Sequence, residues 1–171
     1  MDTEELFDIV DESGKIFGTA RRKEVHGNPA LIHRSVHVLV LNGDNNLYLQ
    51  KRGADKDIQP GKWDTSVGGH VGCSEGVLEA AKREMAEELG IENEEIRFLY
   101  EYIWRTKVET ELVTSFLCRY RGGRLRVDSS EIEEGRFWSF AEIEKNLGKG
   151  VFTPNFEEEF ERLKKFLKQQ T

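Results

Sequence analysis

Apolar positions along this chain follow two periods, and the switches between them mark out its elements. Leu6 to Val10 and Ile16 to Ala20, parted by Asp11-Glu12-Ser13-Gly14, predict an opening β ribbon, followed by a polar connection that carries His26 and His33. Val36 to Leu41 and Leu47 to Gln50 flank Asn42-Gly43-Asp44-Asn45-Asn46, residues that tolerate a positive φ, and predict a hairpin. Trp63 to Val67 reads as a strand, and Gly68-Gly69-His70-Val71-Gly72 after it is a sterically open backbone. From Gly76 to Leu89 the period becomes helical, with Val77, Leu78, Ala81, Met85 and Leu89 on one face, Ser74 placed to cap and Gly90 to stop. Arg97 to Trp104 and Leu112 to Tyr120 predict long strands, Gly122-Gly123 a turn, and Leu125 to Val127 and Arg136 to Phe140 short strands. A helix is expected over Ala141 to Leu147. Another follows the N-cap pair Thr153-Pro154 and buries Phe156, Phe160, Leu163 and Leu167. The class is α+β, a mixed sheet flanked by helices.

Composition narrows what such a fold can do. At 171 residues, with roughly 100 to 200 residues per domain, the chain reads as one domain spanning 1–171, with a β extension over 1–35 and a closing helix over 154–171. With 37% apolar residues, 33% charged and 10 Phe, it can build a core and is not a disordered chain. No apolar run reaches the roughly 18 to 20 residues that span a bilayer, and the acidic start is unlike a signal peptide, so a soluble, cytoplasmic protein is expected. Cys73 and Cys118 read as free thiols. The net charge of −7 argues against nucleic acid or an anionic membrane as partner; if the substrate is anionic, a metal ion held by carboxylates has to bridge the two.

Carboxylates suited to that task stand in Gly69 to Ile91, where Glu84, Glu87 and Glu88 occupy positions i, i+3 and i+4 of the predicted helix. Like charges so placed repel unless a cation intervenes, and hard oxygen ligands suit Mg²⁺ or Mn²⁺. A solvated acidic helix face is the plainer alternative.

The segment resembles the Nudix box. Gly69, then five residues, Glu75, then seven, Arg83-Glu84, the aliphatic Met85, one residue, Glu87-Glu88, one residue, Gly90 and the aliphatic Ile91 fill every specified slot of that pattern. The resemblance implies a sheet-and-helix sandwich and hydrolysis of nucleoside diphosphates linked to other groups. It implies Glu84, Glu87 and Glu88 as catalytic metal ligands, Arg83 and Glu75 as the pair bracing loop against helix, and Gly69 as a point of close backbone approach. The general base varies between branches, and Glu131, Glu133, Glu134, Glu109 and Glu88 are all open for it. Lys51, Arg52, Lys62 and Arg105 are candidate substrate contacts, with Arg52, just past the second hairpin strand, the first choice.

A second resemblance, over Val25 to Glu75, is to type 1 isopentenyl-diphosphate isomerase, a Nudix-fold enzyme. It implies a second divalent metal site at His26, His33, His70, Glu109 and Glu111. The isomerase carries a catalytic cysteine in Ser-Val-Cys-Gly-His, whereas this chain reads Ser66-Val67-Gly68-Gly69-His70; Gly68 has no side chain to move a proton, and Cys73 stands five residues beyond. The expectation is a Mg²⁺- or Mn²⁺-dependent hydrolase of a small diphosphate compound, monomer or homodimer, with the isomerase and a non-hydrolytic nucleotide-binding module as alternatives. His37, between Val36 and Val38, is expected to be an ordinary packed sheet residue.

Overall fold

The computed structural model describes residues 4–122, 125 and 132–170. Its centre is a strand buried on both faces, β3 (Ile32–Leu41), in parallel register with β8 (Thr110–Arg119) along its whole length, from Ile32 opposite Thr110 to Leu41 opposite Arg119. On one face Val36, Val38 and Val40 pack with Ala80, Ala81, Met85 and Leu89 of α2 (Val77–Leu89). On the other, Leu39 and Leu41 meet Phe156, Phe160 and Leu163 of α4 (Pro154–Gln169) and Ile143 of α3 (Phe140–Asn146). A strand apolar on both sides is what a sheet covered on both faces requires. The mixed sheet sandwiched between helices is therefore as expected.

Around this centre, β7 (Ile96–Arg105) pairs antiparallel with β8. The opening ribbon of β1 (Leu6–Val10) and β2 (Ile16–Arg21) joins β3 through Ile9 and Val10. A single helical turn, α1 (Arg22–Val25), stands where the sequence suggested only a polar connection, and it buries Val25 against Phe7 and Ile9.

The predicted hairpin forms in part. β4 (Leu47–Arg52) pairs with β3 only at Leu41 opposite Leu47, then diverges to β9 (Ile132–Trp138) and β5 (Trp63–Asp64). The β3 edge it vacates is taken by β6 (Val67–His70), which pairs Ser35 to Val38 with His70 to Val67. The single strand expected over Trp63 to Val67 is thus two short ones with different partners. Buried Ser66 bridges the split, donating from Oγ to Tyr48 O at 2.5 Å and accepting Val40 N–H at 2.9 Å.

Local predictions hold at α4, where Thr153 Oγ1 accepts Phe156 N–H at 3.2 Å with Pro154 in the first turn. They fail at the start of α2. Gly76, not Ser74, is the N-cap; Ser74 adopts φ 64° and gives its N–H to Asp8 Oδ2 at 2.9 Å. Leu78 faces solvent, and Ala80 takes the buried position assigned to it. Phe140, expected to end a strand, opens α3 behind a Ser139–Glu142 capping box. Apart from Leu125, the strand expected at Leu125 to Val127 lies outside the described residues, as does Gly123. Among the described residues no helix is long and apolar enough to cross a membrane.

Candidate functional site

Gly90, at φ 66°, ends α2, and Glu84 and Glu88 of the helix's last two turns lie against Gly69 and Gly68 of β6. Arg83 organises that junction. Its Nε and Nη2 clasp Glu75 Oε2 and Oε1 at 2.8 and 2.9 Å, Nη2 also reaches His70 O at 3.1 Å, and Nη1 reaches Glu84 Oε1 at 2.8 Å and Glu87 Oε2 at 3.4 Å. Glu75 Oε1 in turn accepts Gly72 N–H at 3.0 Å. The planar guanidinium fork spans carboxylate and backbone together, which a lysine could not do. Hydrogen bonding to Arg83 holds the Glu75 carboxyl below its ordinary range, while burial lifts Glu84 above it against the pull of Arg83.

A Cβ at Gly69 would fall on the Glu84 carboxylate, so glycine there allows strand and helix to meet. Glu88 Oε2 accepts Gly68 N–H at 3.1 Å. The three helix carboxylates share one face, as their spacing requires. They are spread out, however, with Arg83 between Glu84 and Glu87 and Glu88 turned to β6, so their oxygens do not form a ready-made cluster.

Such a cluster does form across the sheet. His26, His33, His70 and Glu109 present ligand atoms that all lie within 4.8 Å of one another. Glu111 Oε1 is 3.4 Å from Nε2 of both His33 and His70, and Glu109 Oε2 is 3.4 Å from His26 Nε2. The residues come from the turn after α1, from β3, β6 and the start of β8, and the parallel β3–β8 register, which sets His33 opposite Glu111, brings them together. Phe7 of β1 covers the group, its ring centroid 5.0 to 6.4 Å from those of the three histidines. Among the described residues, both ring nitrogens of His33 and Nε2 of His26 are buried without a hydrogen-bond partner. Orphaned buried imidazole nitrogens beside two carboxylates are a donor set fitted to a divalent cation that accepts nitrogen. Burial and the neighbouring His70 push His26 down to about 4, which keeps it neutral and able to ligate.

His37 is buried, but it is not merely packed. Its Nδ1 lies 2.5 Å from Oε2 of Glu159, a fully buried residue of α4 that also accepts Ser115 Oγ at 2.7 Å and Tyr102 Oη at 2.8 Å, with Tyr100 Oη at 3.3 Å. Burial alone would lower the His37 pKa; the Glu159 charge and hydrogen bond outweigh it and raise it to about 9, while His37 draws Glu159 below its ordinary value. Glu159 escaped the sequence reading, although a charged residue between Phe156 and Phe160 on the apolar stripe was a visible signal.

Comparison with known proteins settles the family. The Nudix domain family matches residues 31–156, most of the chain. The chain belongs to the Nudix family. An uncharacterized Nudix hydrolase of Streptomyces coelicolor is 30% identical over 162 residues, covering 94% of this chain and 89% of its own. An isopentenyl-diphosphate Delta-isomerase of Streptomyces avermitilis is 31% identical over 157 residues, 88% of this chain and 79% of its own. For other curated relatives the chain spans 55%, 47% or 12% of their length. A crystal structure from Deinococcus radiodurans superposes with TM-score 0.79 at 22% identity, over 92% of this chain and 98% of that one. The Nudix domain of Shewanella oneidensis NrtR, solved with ADP ribose, superposes with TM-score 0.63 at 14% identity, over 78% and 87%. This Nudix chain is accordingly a hydrolase by class.

The remaining expected residues of the Nudix chain are scattered. The Arg52 guanidinium is committed to its own loop, donating from Nε to Ile58 O at 3.0 Å with Asp64 Oδ2 3.7 Å from Nη1, which leaves less of it for a substrate than its position in sequence suggested. Lys51 is half-buried on β4, opposite Trp63 and Glu134, and Lys62 is likewise half-buried before β5. Arg105 pairs with Glu12 on the surface. Of the candidate bases, Glu109 sits in the histidine cluster, Glu88 on Gly68, and Glu134 is exposed; Glu131 and the Glu133 side chain lie outside what is described. Both thiols are free, with Cys73 Sγ 3.4 Å from Asp8 Oδ1 and Cys118 in the core.

Proposed function

We propose that the chain hydrolyses the diphosphate linkage of a nucleoside diphosphate derivative or a similar organic pyrophosphate, with Mg²⁺ or Mn²⁺ as cofactor. The observation that carries this reading is the complete box in its folded setting: Glu84, Glu87 and Glu88 on one face of α2, with Arg83 holding Glu75, His70 O and Glu84 around Gly69. Glu84, Glu87 and Glu88 would hold the cation, which neutralises diphosphate charge and makes a bound water more acidic. Arg83 keeps the loop and helix in register, so that the carboxylates and the open Gly68-Gly69 backbone face the substrate together. The proton of the attacking water would pass to a glutamate, with Glu88, Glu109, Glu131, Glu133 and Glu134 all open for that role.

The cluster of His26, His33, His70, Glu109 and Glu111 would hold a second divalent cation, on the strength of its orphaned ring nitrogens. That arrangement, with the isomerase relative, favours double-bond isomerisation as the second reading. Gly68, which offers no proton-transfer group, counts against it. The deciding variant is Glu87→Gln, which removes a charge and keeps the shape; turnover of a nucleoside diphosphate derivative should fall about 10³-fold, equal to roughly 4 kcal/mol of transition-state stabilisation. Unchanged turnover in a folded variant overturns the assignment.

A further inference from the structure

Gly68 lies between two groups. Its N–H goes to Glu88, a carboxylate of the box, and the side a Cβ would occupy is turned to His37, with that Cβ 3.2 Å from His37 Cδ2 and 3.5 Å from Nε2. The His37 ring is held from behind. Nδ1 is taken by Glu159, and Glu159 is fixed by Ser115, Tyr102 and Tyr100, so the ring can neither flip nor tilt freely. Its outer nitrogen is not part of that network: among the described residues the ring's hydrogen bond is made at Nδ1, and the side chain is 10% exposed. An imidazole locked at Nδ1, with Nε2 turned to a residue that has no side chain to cover it, has the form of a donor reserved for a ligand.

We propose that His37 is a substrate-binding residue of this enzyme, whose Nε2–H, held out over Gly68 by Glu159, donates to an anionic oxygen of the diphosphate bound at the box carboxylates. The inference rests on the hydrolase reading above. The charged groups facing the ring are Glu159 of α4, Asp64 of β5 and Glu111 of β8, with the Tyr102 hydroxyl from β7 on Glu159; all three carboxylates favour the imidazolium, so the nitrogen on the Gly68 side carries a proton at neutral pH. Within an acidic protein this supplies a fixed positive charge that the helix carboxylates lack. It also gives a reason for glycine at 68 that is separate from the loss of an isomerase's thiol: any side chain there would screen Nε2.

Two variants divide the ring's two roles. In His37→Asn the amide nitrogen can replace Nδ1 on Glu159 but nothing replaces Nε2; in His37→Gln the amide nitrogen reaches the Nε2 position. Inorganic pyrophosphate with Mg²⁺ is the probe, titrated by calorimetry against the full chain, alongside KM and kcat for whichever nucleoside diphosphate derivative the protein hydrolyses. His37→Asn should weaken pyrophosphate binding and raise KM about tenfold to a hundredfold with kcat little changed, and His37→Gln should recover part of both. Gly68→Ala should weaken binding in the same direction while His37 is intact. Because the chain has 4 histidines, a ¹⁵N-histidine spectrum of the unaltered protein gives a readout that does not depend on any variant folding: the His37 Nε2 signal should move when pyrophosphate and Mg²⁺ are added. If that signal stays still, or His37→Asn binds as tightly as wild type while Glu87→Gln does not bind, the proposal falls and the hydrolase reading stands. If the unaltered protein neither binds pyrophosphate with Mg²⁺ nor hydrolyses any diphosphate, both fall.

Discussion

Replacing Glu159 with Gln keeps the volume of the side chain and removes its charge, leaving His37 buried without a counter-ion. In the folded protein His37 is raised from its ordinary 6.5 to about 9. A shift of that size corresponds to about 3 kcal/mol of folding free energy. The sign follows from the direction: a group whose folded pKa is raised contributes fully below the unfolded value, and its contribution fades as pH climbs from about 6.5 through 9. His26, lowered to about 4, acts oppositely and costs stability as pH falls below 6.5, so the wild type should be most stable near that pH. At roughly 2–4 °C per kcal/mol for a chain of this size, Tm should drop about 6 to 12 °C between pH 6.5 and 9. Breaking a buried pair typically costs 3–5 kcal/mol, so Glu159→Gln should melt well below wild type at pH 6.5, and the gap should close towards pH 9. Thermal melts followed by circular dichroism across that range, in one buffer series, measure both curves. Parallel curves, offset but with equal slopes, would show that His37 is not held protonated by Glu159, and the reasoning would fail.

Two further outcomes test other parts of the structure. Phe160 is fully buried on α4, 5.1 Å from the Phe140 ring and 6.0 Å from that of Phe156, so Phe160→Ala should cost about 3–5 kcal/mol and lower Tm at every protein concentration; a mild, concentration-dependent effect with loss of a dimer in sedimentation would mean the stripe is an interface instead. His33→Ala removes the ring that approaches both Glu109 and Glu111, and should abolish retention of Mn²⁺ or Zn²⁺ after dialysis, measured by elemental analysis, while Mg²⁺-supported turnover persists; undiminished retention would place the metal elsewhere.

Features that announce themselves locally were legible in the sequence. The Thr153-Pro154 cap, the apolar stripe of α4 and the Glu84, Glu87, Glu88 face all follow from neighbours within a few residues. What escaped depends on contacts far along the chain. The β3–β4 hairpin diverges because β8 and β6, not β4, hold the edges of β3, and Ser66 marks the split only once its bonds to Tyr48 and Val40 are seen. Ser74 has the chemistry of a cap, yet its backbone is claimed by Asp8 in β1. The histidine cluster has no ligand spacing in sequence and was reached by resemblance; the β3–β8 register assembles it. His37 was read from Val36 and Val38 beside it, while the partner that gives it a role is 122 residues away.

Hydrolysis at a diphosphate leaves an isotopic mark that isomerisation does not. The full chain would be incubated in H₂¹⁸O with a panel of nucleoside diphosphate and triphosphate derivatives and isopentenyl diphosphate, with Mg²⁺ or with EDTA, and the products weighed by mass spectrometry. The expected result is ¹⁸O in a phosphate product of at least one nucleotide derivative, no such product with EDTA, and isopentenyl diphosphate recovered without rearrangement. Conversion of isopentenyl diphosphate to its unlabelled isomer, with no ¹⁸O in any phosphate product, would contradict it.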